Sequence, residues 1–302
     1  MGHIIADLKE TFKRGNIYIQ LIYINVAVFM AGMLTQIGLQ LFNVRTAPFS
    51  NWFALPASFT DFLCQPWSIL TYMFIHAGVF HILFNMLWLY WFGSLFLYFF
   101  SAKHLRGLYV LGGICGGLLY MVAYNVFPFF SNQIADSILV GASASVLAIV
   151  AATAYREPNY PVQLFFFGSL RLKYLALTVI GMDVLSITSI NAGGHIAHLG
   201  GALAGLWFAS SLSKGTDLTT WINKALDGCM SLLQREKRTR KPKMKIHYGH
   251  QSTSKRAQDY DYNARKKAQL EEVDRILEKL KKSGYDSLTS EEKKSLFDAS
   301  KR

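Results

Sequence analysis

Four polar residues stand where a membrane-length apolar chain would be expected to carry apolar ones: Ser143, His198, His81 and Asn85. Hydrocarbon penalises unsatisfied polar groups, so such residues are kept for a purpose. The set holds a hydroxyl nucleophile, an imidazole base and two hydrogen-bond donors. A serine hydroxyl attacks only when a base removes its proton, and the oxyanion that forms must be met by donors. Together these residues are equipped for acyl transfer, and they point to a protease seated in a membrane.

Each residue has a telling neighbourhood. Gly141-Ala142-Ser143-Ala144 opens an apolar stretch, where small side chains permit close approach and a helix start offers free backbone N–H groups. Ser145 points to another helix face and is set aside as nucleophile. His198, Gly201 and Gly205 share one helix face, and the GxxxG pair lets that face touch a neighbouring helix. His195, one turn earlier, reads as a solvated interfacial residue. His81 and Asn85 are four apart and project from one face, whereas His76 lies a turn or more outside and reads as structural. Asp183 is the one acid well inside an apolar stretch. It reads as a structural hydrogen-bonding residue, too deep to serve Ser143.

The elements that must position these residues follow from hydropathy. The chain has 302 residues, 52% hydrophobic and only 17% charged, and its net charge of +12 comes mostly from a basic region after Ser213. A crossing helix needs about 20 apolar residues. Six spans fit, near 17–42, 79–100, 105–127, 138–155, 172–190 and 196–212. The expected fold is therefore an all-α, six-transmembrane-helix bundle with a basic cytoplasmic tail. The order of segments is a cytoplasmic stretch at 1–16, the membrane domain at 17–212, a basic juxtamembrane linker at 213–268 and a short helical region at 269–302.

Six spans place Lys9, Lys13 and Arg14, then Lys103 and Arg106, then Arg156, Arg171 and Lys173, and finally the tail on one side, with Arg45 alone opposite. By the positive-inside rule both termini are cytoplasmic. The expected location is a bacterial cytoplasmic membrane, and the four polar residues fall at its outer side. A dense basic run, Arg235–Lys245, suits anionic lipid better than nucleic acid, for which the chain has no motif. An amphipathic helix fits 218–233. Farther on, Leu270, Val273, Ile276, Leu277 and Leu280 recur at helical spacing, Ser283-Gly284 gives a stop, and Thr289 with Glu292 forms a capping box. Cys64, Cys115 and Cys229 lack metal spacing and form no disulfide framework.

Taken together, the motifs resemble those of the rhomboid intramembrane serine proteases. Gly141-Ala142-Ser143 is similar to that family's Gly-x-Ser, Ala197-His198-Leu199-Gly200-Gly201 with Gly205 to its histidine motif, and His81-Ile82-Leu83-Phe84-Asn85 to its His-x-x-x-Asn. The resemblance implies Ser143 as nucleophile, His198 as general base in a dyad without aspartate, and His81, Asn85 and the Ser143 N–H as oxyanion donors. It implies transmembrane proteins as substrates and neither metal nor organic cofactor. Two departures stand out. Ala144 replaces the usual glycine, with a methyl expected to narrow the oxyanion hole or alter substrate preference, and the outer loop lacks the frequent Trp-Arg pair. A catalytically silent, client-binding relative is the alternative. A transporter is disfavoured because the chain lacks an obvious inverted repeat.

Overall fold

The structure, a computed structural model, describes residues 12, 15–44, 49–164, 168–234 and 253–300. Arg45, Lys9, Lys13, Arg14 and the basic run Arg235–Lys245 lie outside the described residues. The chain divides into two compact units, Met1–Glu236 and Lys237–Arg302.

Six apolar helices frame the first unit, with shorter helical segments at Phe59–Cys64 and Ser68–Thr71 between the first two: α1 (Ile17–Leu41), α2 (Val79–Phe99), α3 (Ala102–Val126), α4 (Ser143–Arg156), α5 (Leu172–Leu185) and α6 (Ala192–Ser213). Among the described residues, α1, α2, α3 and α6 are long and apolar enough to cross a membrane, and α4 is a shorter apolar helix. At 1.5 Å per residue a 14-residue helix such as α4 or α5 spans only about 21 Å. Large apolar side chains such as Leu34, Phe80, Leu83, Leu177 and Trp207 face outward, as lipid contact requires.

Helix starts are set by local chemistry. Ser101 caps α3 through a reciprocal pair with His104, which satisfies two backbone donors that the helix cannot. The start of α4 differs from the expected span at 138–155. Ile138–Leu139 (β2) is extended and pairs antiparallel with Leu55–Pro56 (β1). The backbone then turns through Gly141 at φ +123, a conformation that favours glycine. Ser143 is thus the first residue of its helix, not a residue one turn inside it. A second antiparallel pair, Pro161–Leu164 (β3) with Gly168–Arg171 (β4), leads into α5. That helix ends at Leu185, short of the expected Ile190, because Ser186, Thr188 and Ser189 follow in a polar turn.

The core is built where α3, α4 and α6 meet. A Cβ placed on Gly201 would lie 2.1 Å from the Ala144 carbonyl oxygen, and one on Gly205 would lie 2.1 Å from that of Ala148. A Cβ on Gly116 of α3 would strike both the Ala144 methyl and the Ala197 carbonyl. Only bare backbone fits, so glycine permits helix contact at a distance no other residue allows. Helix α1 is tied to this core by a buried polar chain: the Asn25 amide donates to the Leu21 carbonyl and to the Tyr109 hydroxyl, and Tyr109 donates to the Met73 carbonyl.

Beyond α6, the amphipathic α7 (Thr220–Gln234) closes the first unit. The Arg106 guanidinium donates to Asn223 and Asp227 of α7, and the Asn223 amide donates back to the Lys103 carbonyl. Just before α7, Asp217 accepts hydrogen bonds from Thr219 and Thr220. These bonds hold its carboxyl below the usual range against the opposing effect of partial burial.

The second unit is a helical hairpin of α8 (Thr253–Ser283) and α9 (Ser290–Ser300). Helix α8 starts well before residue 269, since Lys, Arg, Gln and Ala through this stretch are good helix formers. Gly284, at φ +76, ends it. Thr289 and Glu292 form the reciprocal cap of α9, and Lys279 reaches across to Glu292 at 2.9 Å.

The glycine contacts make a direct prediction. Gly205→Ala should destabilise the membrane domain by about 1–3 kcal/mol, the usual cost of overpacking. Gly32→Ala, at a position with open space around it, should be neutral or slightly stabilising. Thermal unfolding of the two variants in detergent checks this, and equal melting temperatures would refute it.

Candidate active site

Ser143 opens α4 with its backbone N–H in the first helical turn, where amide donors lack intrahelical acceptors. Its Oγ lies 3.7 Å from the point a Gly141 Cβ would occupy. The His81 ring approaches that same point, with Nε2 at 2.9 Å. Any residue but glycine at 141 would fill the space between the two. His81 Nδ1 accepts the Ala77 N–H at 3.4 Å, which leaves the ring proton of the neutral imidazole to Nε2, an atom beside the Gly141 turn. One turn along α2, Asn85 is buried and uses one amide hydrogen on the His81 carbonyl at 2.9 Å. An amide carries two hydrogens, so a second donor is left for another acceptor.

His198 arrives on α6. Gly201 faces Ala144 and Gly205 faces Ala148, so α4 and α6 run in the same direction. One turn back, that register sets His198 level with Gly141. Ser143, His81, Asn85 and His198 all line one cavity of about 820 Å³. All four sequence-predicted residues are therefore brought together. Neither Ser145 nor the Ala144 methyl enters the cavity wall: Ser145 is buried against Met73 and Gly113, and the methyl fits the notch left by Gly116. The Ala144 side chain points into the packed helix contact and not toward Ser143 and His81.

Asp183 makes the hydrogen bonds to a neighbouring helix that its sequence position suggested, but not at the depth expected. It is 4% exposed, and its Oδ1 lies 2.9 Å from His198 Nδ1 and 2.8 Å from His195 Nδ1. Because α5 stops at Leu185, Asp183 occupies the last turn of that helix and not a deeper position. The short connection to α6 returns the chain beside it. His195 is correspondingly a partner of Asp183 and not a free interfacial residue. The signal was the polar run Ser186–Ser189, which ends the apolar stretch earlier than its overall hydropathy suggests.

With Nδ1–H donated to a carboxylate, His198 presents an unprotonated Nε2, the form a base requires. Chemically, the site offers a nucleophile at a helix start, an imidazole held in one tautomer by a buried carboxylate, and three donors for an oxygen that gains charge.

A family model described as the rhomboid domain matches residues 63–215. That is half of the chain, and the chain belongs to the rhomboid family. A second model, a family of unknown function (DUF6576), matches residues 258–302 and so covers most of the C-terminal hairpin. Among curated relatives, the chain is similar to RHOMBOID-like protein 12, mitochondrial, of Arabidopsis thaliana, at 29% identity over 49% of this chain and 47% of that protein. It is also similar to presenilin-associated rhomboid-like protein A, mitochondrial, of Danio rerio, at 30% identity over 45% of this chain and 34% of that protein. A further relative is presenilin-associated rhomboid-like protein, mitochondrial, of Homo sapiens, at 26% identity over 49% of this chain and 38% of that protein. The chain thus spans less than half the length of these relatives.

These comparisons correct the expected location. A bacterial cytoplasmic membrane, with both termini in the cytoplasm, conflicts with relatives named as mitochondrial. Charge asymmetry orders the loops on two sides of a bilayer but does not say which bilayer. The multi-pass membrane character is retained.

The geometry predicts a single His198 tautomer. Ring-¹⁵N NMR of histidine-labelled protein at neutral pH should show His198 protonated at Nδ1 and bare at Nε2, and Asp183→Ala should abolish that preference. A native His198 protonated chiefly at Nε2 would contradict the site as described.

Proposed function

We propose that this chain is an intramembrane serine endopeptidase that cleaves transmembrane segments of other membrane proteins, working from a six-span domain in which the shorter α4 and α5 also cross. The reading rests on one observation above all: a nucleophile, a base and two side-chain donors from α2, α4 and α6 line a single cavity, while a buried carboxylate holds the far nitrogen of the base.

Ser143 Oγ would attack the scissile carbonyl as its proton passes to His198 Nε2. The imidazolium so formed is stabilised by Asp183, whose carboxylate already accepts the Nδ1–H. Asp183 is then a positioning residue: it touches no reacting atom and acts through His198. The tetrahedral oxyanion would accept hydrogen bonds from His81 Nε2–H, the free Asn85 amide hydrogen and the Ser143 N–H. His198 would next protonate the leaving amine, and water entering the cavity would hydrolyse the acyl-enzyme. Ser143, His198, Asp183, His81 and Asn85 supply each of these roles without a cofactor.

A substrate helix must unwind at the cleaved bond, because a hydrogen-bonded helical backbone hides its carbonyls. Segments carrying Gly or Pro near their outer end meet that need at least cost. The dense basic run Arg235–Lys245 would favour anionic lipid as a partner over nucleic acid.

Purified protein in lipid, given single-span model substrates, tests the reading. Ser143→Ala and His198→Ala should each lower turnover about 10³-fold or more. Cleavage by Ser143→Ala at the native rate would overturn the proposal.

Asp183→Asn separates positioning from simple structural support. It should reduce kcat by about 10²–10⁴-fold with KM little changed, and raising the pH should not restore the rate. An unchanged kcat with a raised KM would assign Asp183 to substrate binding instead.

A further inference from the structure

We infer that Asp183, His195 and His198 form a binding site for a borderline transition-metal ion, zinc(II) above all, and that occupancy switches off the base. The metal site stands on geometry alone, whereas the inhibition rests on the protease reading.

Three potential ligands converge there: Asp183, His195 and His198 each offer one atom within 4.8 Å of the others, and both Nδ1 atoms lie against Asp183 Oδ1. The histidines are three apart on α6 and so project from one face, and the carboxylate comes from the last turn of α5. Zinc takes nitrogen and carboxylate ligands at about 2.0–2.2 Å in tetrahedral sites, which sets its donors about 3.3 Å apart. The observed carboxylate–imidazole separations of 2.8 and 2.9 Å need to open by only about half an ångström to reach that spacing.

A second observation points the same way. Asp183 is more than nine-tenths buried, yet its Oδ2 has no hydrogen-bond partner among the described residues. Both imidazoles crowd the other oxygen. A buried carboxylate with no Lys or Arg paired to it among the described residues retains unmet demand for positive charge. A cation at this point would meet that demand and could take Oδ2 as well. Two imidazoles and one carboxylate suit zinc, cobalt(II) or nickel(II), while magnesium and calcium favour all-oxygen ligands.

The consequence for His198 follows from its ring. A neutral imidazole has one proton and one lone pair in its plane. With Nδ1 on the metal, the proton must reside on Nε2, the nitrogen that would have to accept the Ser143 proton. A ring bound in this way remains neutral, releases no net proton and cannot act as the base. Metal binding and proton abstraction therefore exclude one another.

The test uses the full chain in lipid, stripped of metal with a chelator. Titration with zinc chloride by calorimetry should give one ion per chain, and cobalt(II) should give the visible absorption of a tetrahedral site. His195→Ala and His195→Asn should each weaken binding by at least about tenfold, the loss expected when a metal's surroundings are disturbed. Zinc, but not magnesium, should inhibit cleavage of a model substrate, and each variant should need a correspondingly higher zinc concentration relative to its own zinc-free rate. No zinc binding, or binding unaltered in both His195 variants, would overturn the site. Tight, His195-dependent binding in a protein that cleaves nothing would leave the metal site standing and refute the protease reading instead.

Discussion

The structure depends on one close contact, the backbone-to-backbone approach of α4 and α6 at Gly201 and Gly205. Lipid supplies no hydrophobic force between helices, so association there rests on packing and interhelical hydrogen bonds. A contact this short also fixes register, since a slip by one residue would drive a side chain into a carbonyl oxygen. The register decides whether an imidazole carried by one helix stands level with a hydroxyl carried by another. The alignment of these side chains is therefore a by-product of glycine placement one and two turns away from them.

The second constraint is electrostatic. Asp183 is a carboxylate withdrawn from water, and its stability there depends on donors. His195 and His198 both supply them. The same arrangement that makes the carboxylate tolerable fixes the tautomer of His198, so a folding requirement and a chemical one are met by a single oxygen. The sharing also has a cost, because the unpartnered second oxygen and the two nearby nitrogens make the cluster attractive to a metal ion.

Much of this was legible from residue types. Long apolar runs bounded by charge placed α1, α2 and α3 within a few residues, because nothing inside them competes with hydropathy. The ends of α4 and α5 were less readable. Ile138 and Leu139 are apolar enough for a helix but are claimed by pairing with Leu55 and Pro56, and Gly141 turns the chain in a backbone conformation that no hydropathy value encodes. Ser186–Ser189 ended α5 early, and that small error was enough to bury Asp183 too deeply and to leave His198 without its partner. Ser143, His198, His81 and Asn85 were recognisable because each breaks an apolar pattern. Asp183 breaks it too, but its role depends on tertiary placement. In the tail, the Thr289–Glu292 cap was local enough to be read from sequence, whereas the length of α8 depended on propensities spread over many residues.

The central claim is that Ser143 is made nucleophilic by His198 under the control of Asp183. Mass spectrometry of the intact protein and its peptides after exposure to a fluorophosphonate tests it most directly. The account predicts a single covalent adduct on Ser143 in the native chain, formed far more slowly in His198→Ala and in Asp183→Asn. An adduct on Ser145, or an equal rate of labelling at Ser143 when His198 is replaced, would contradict it.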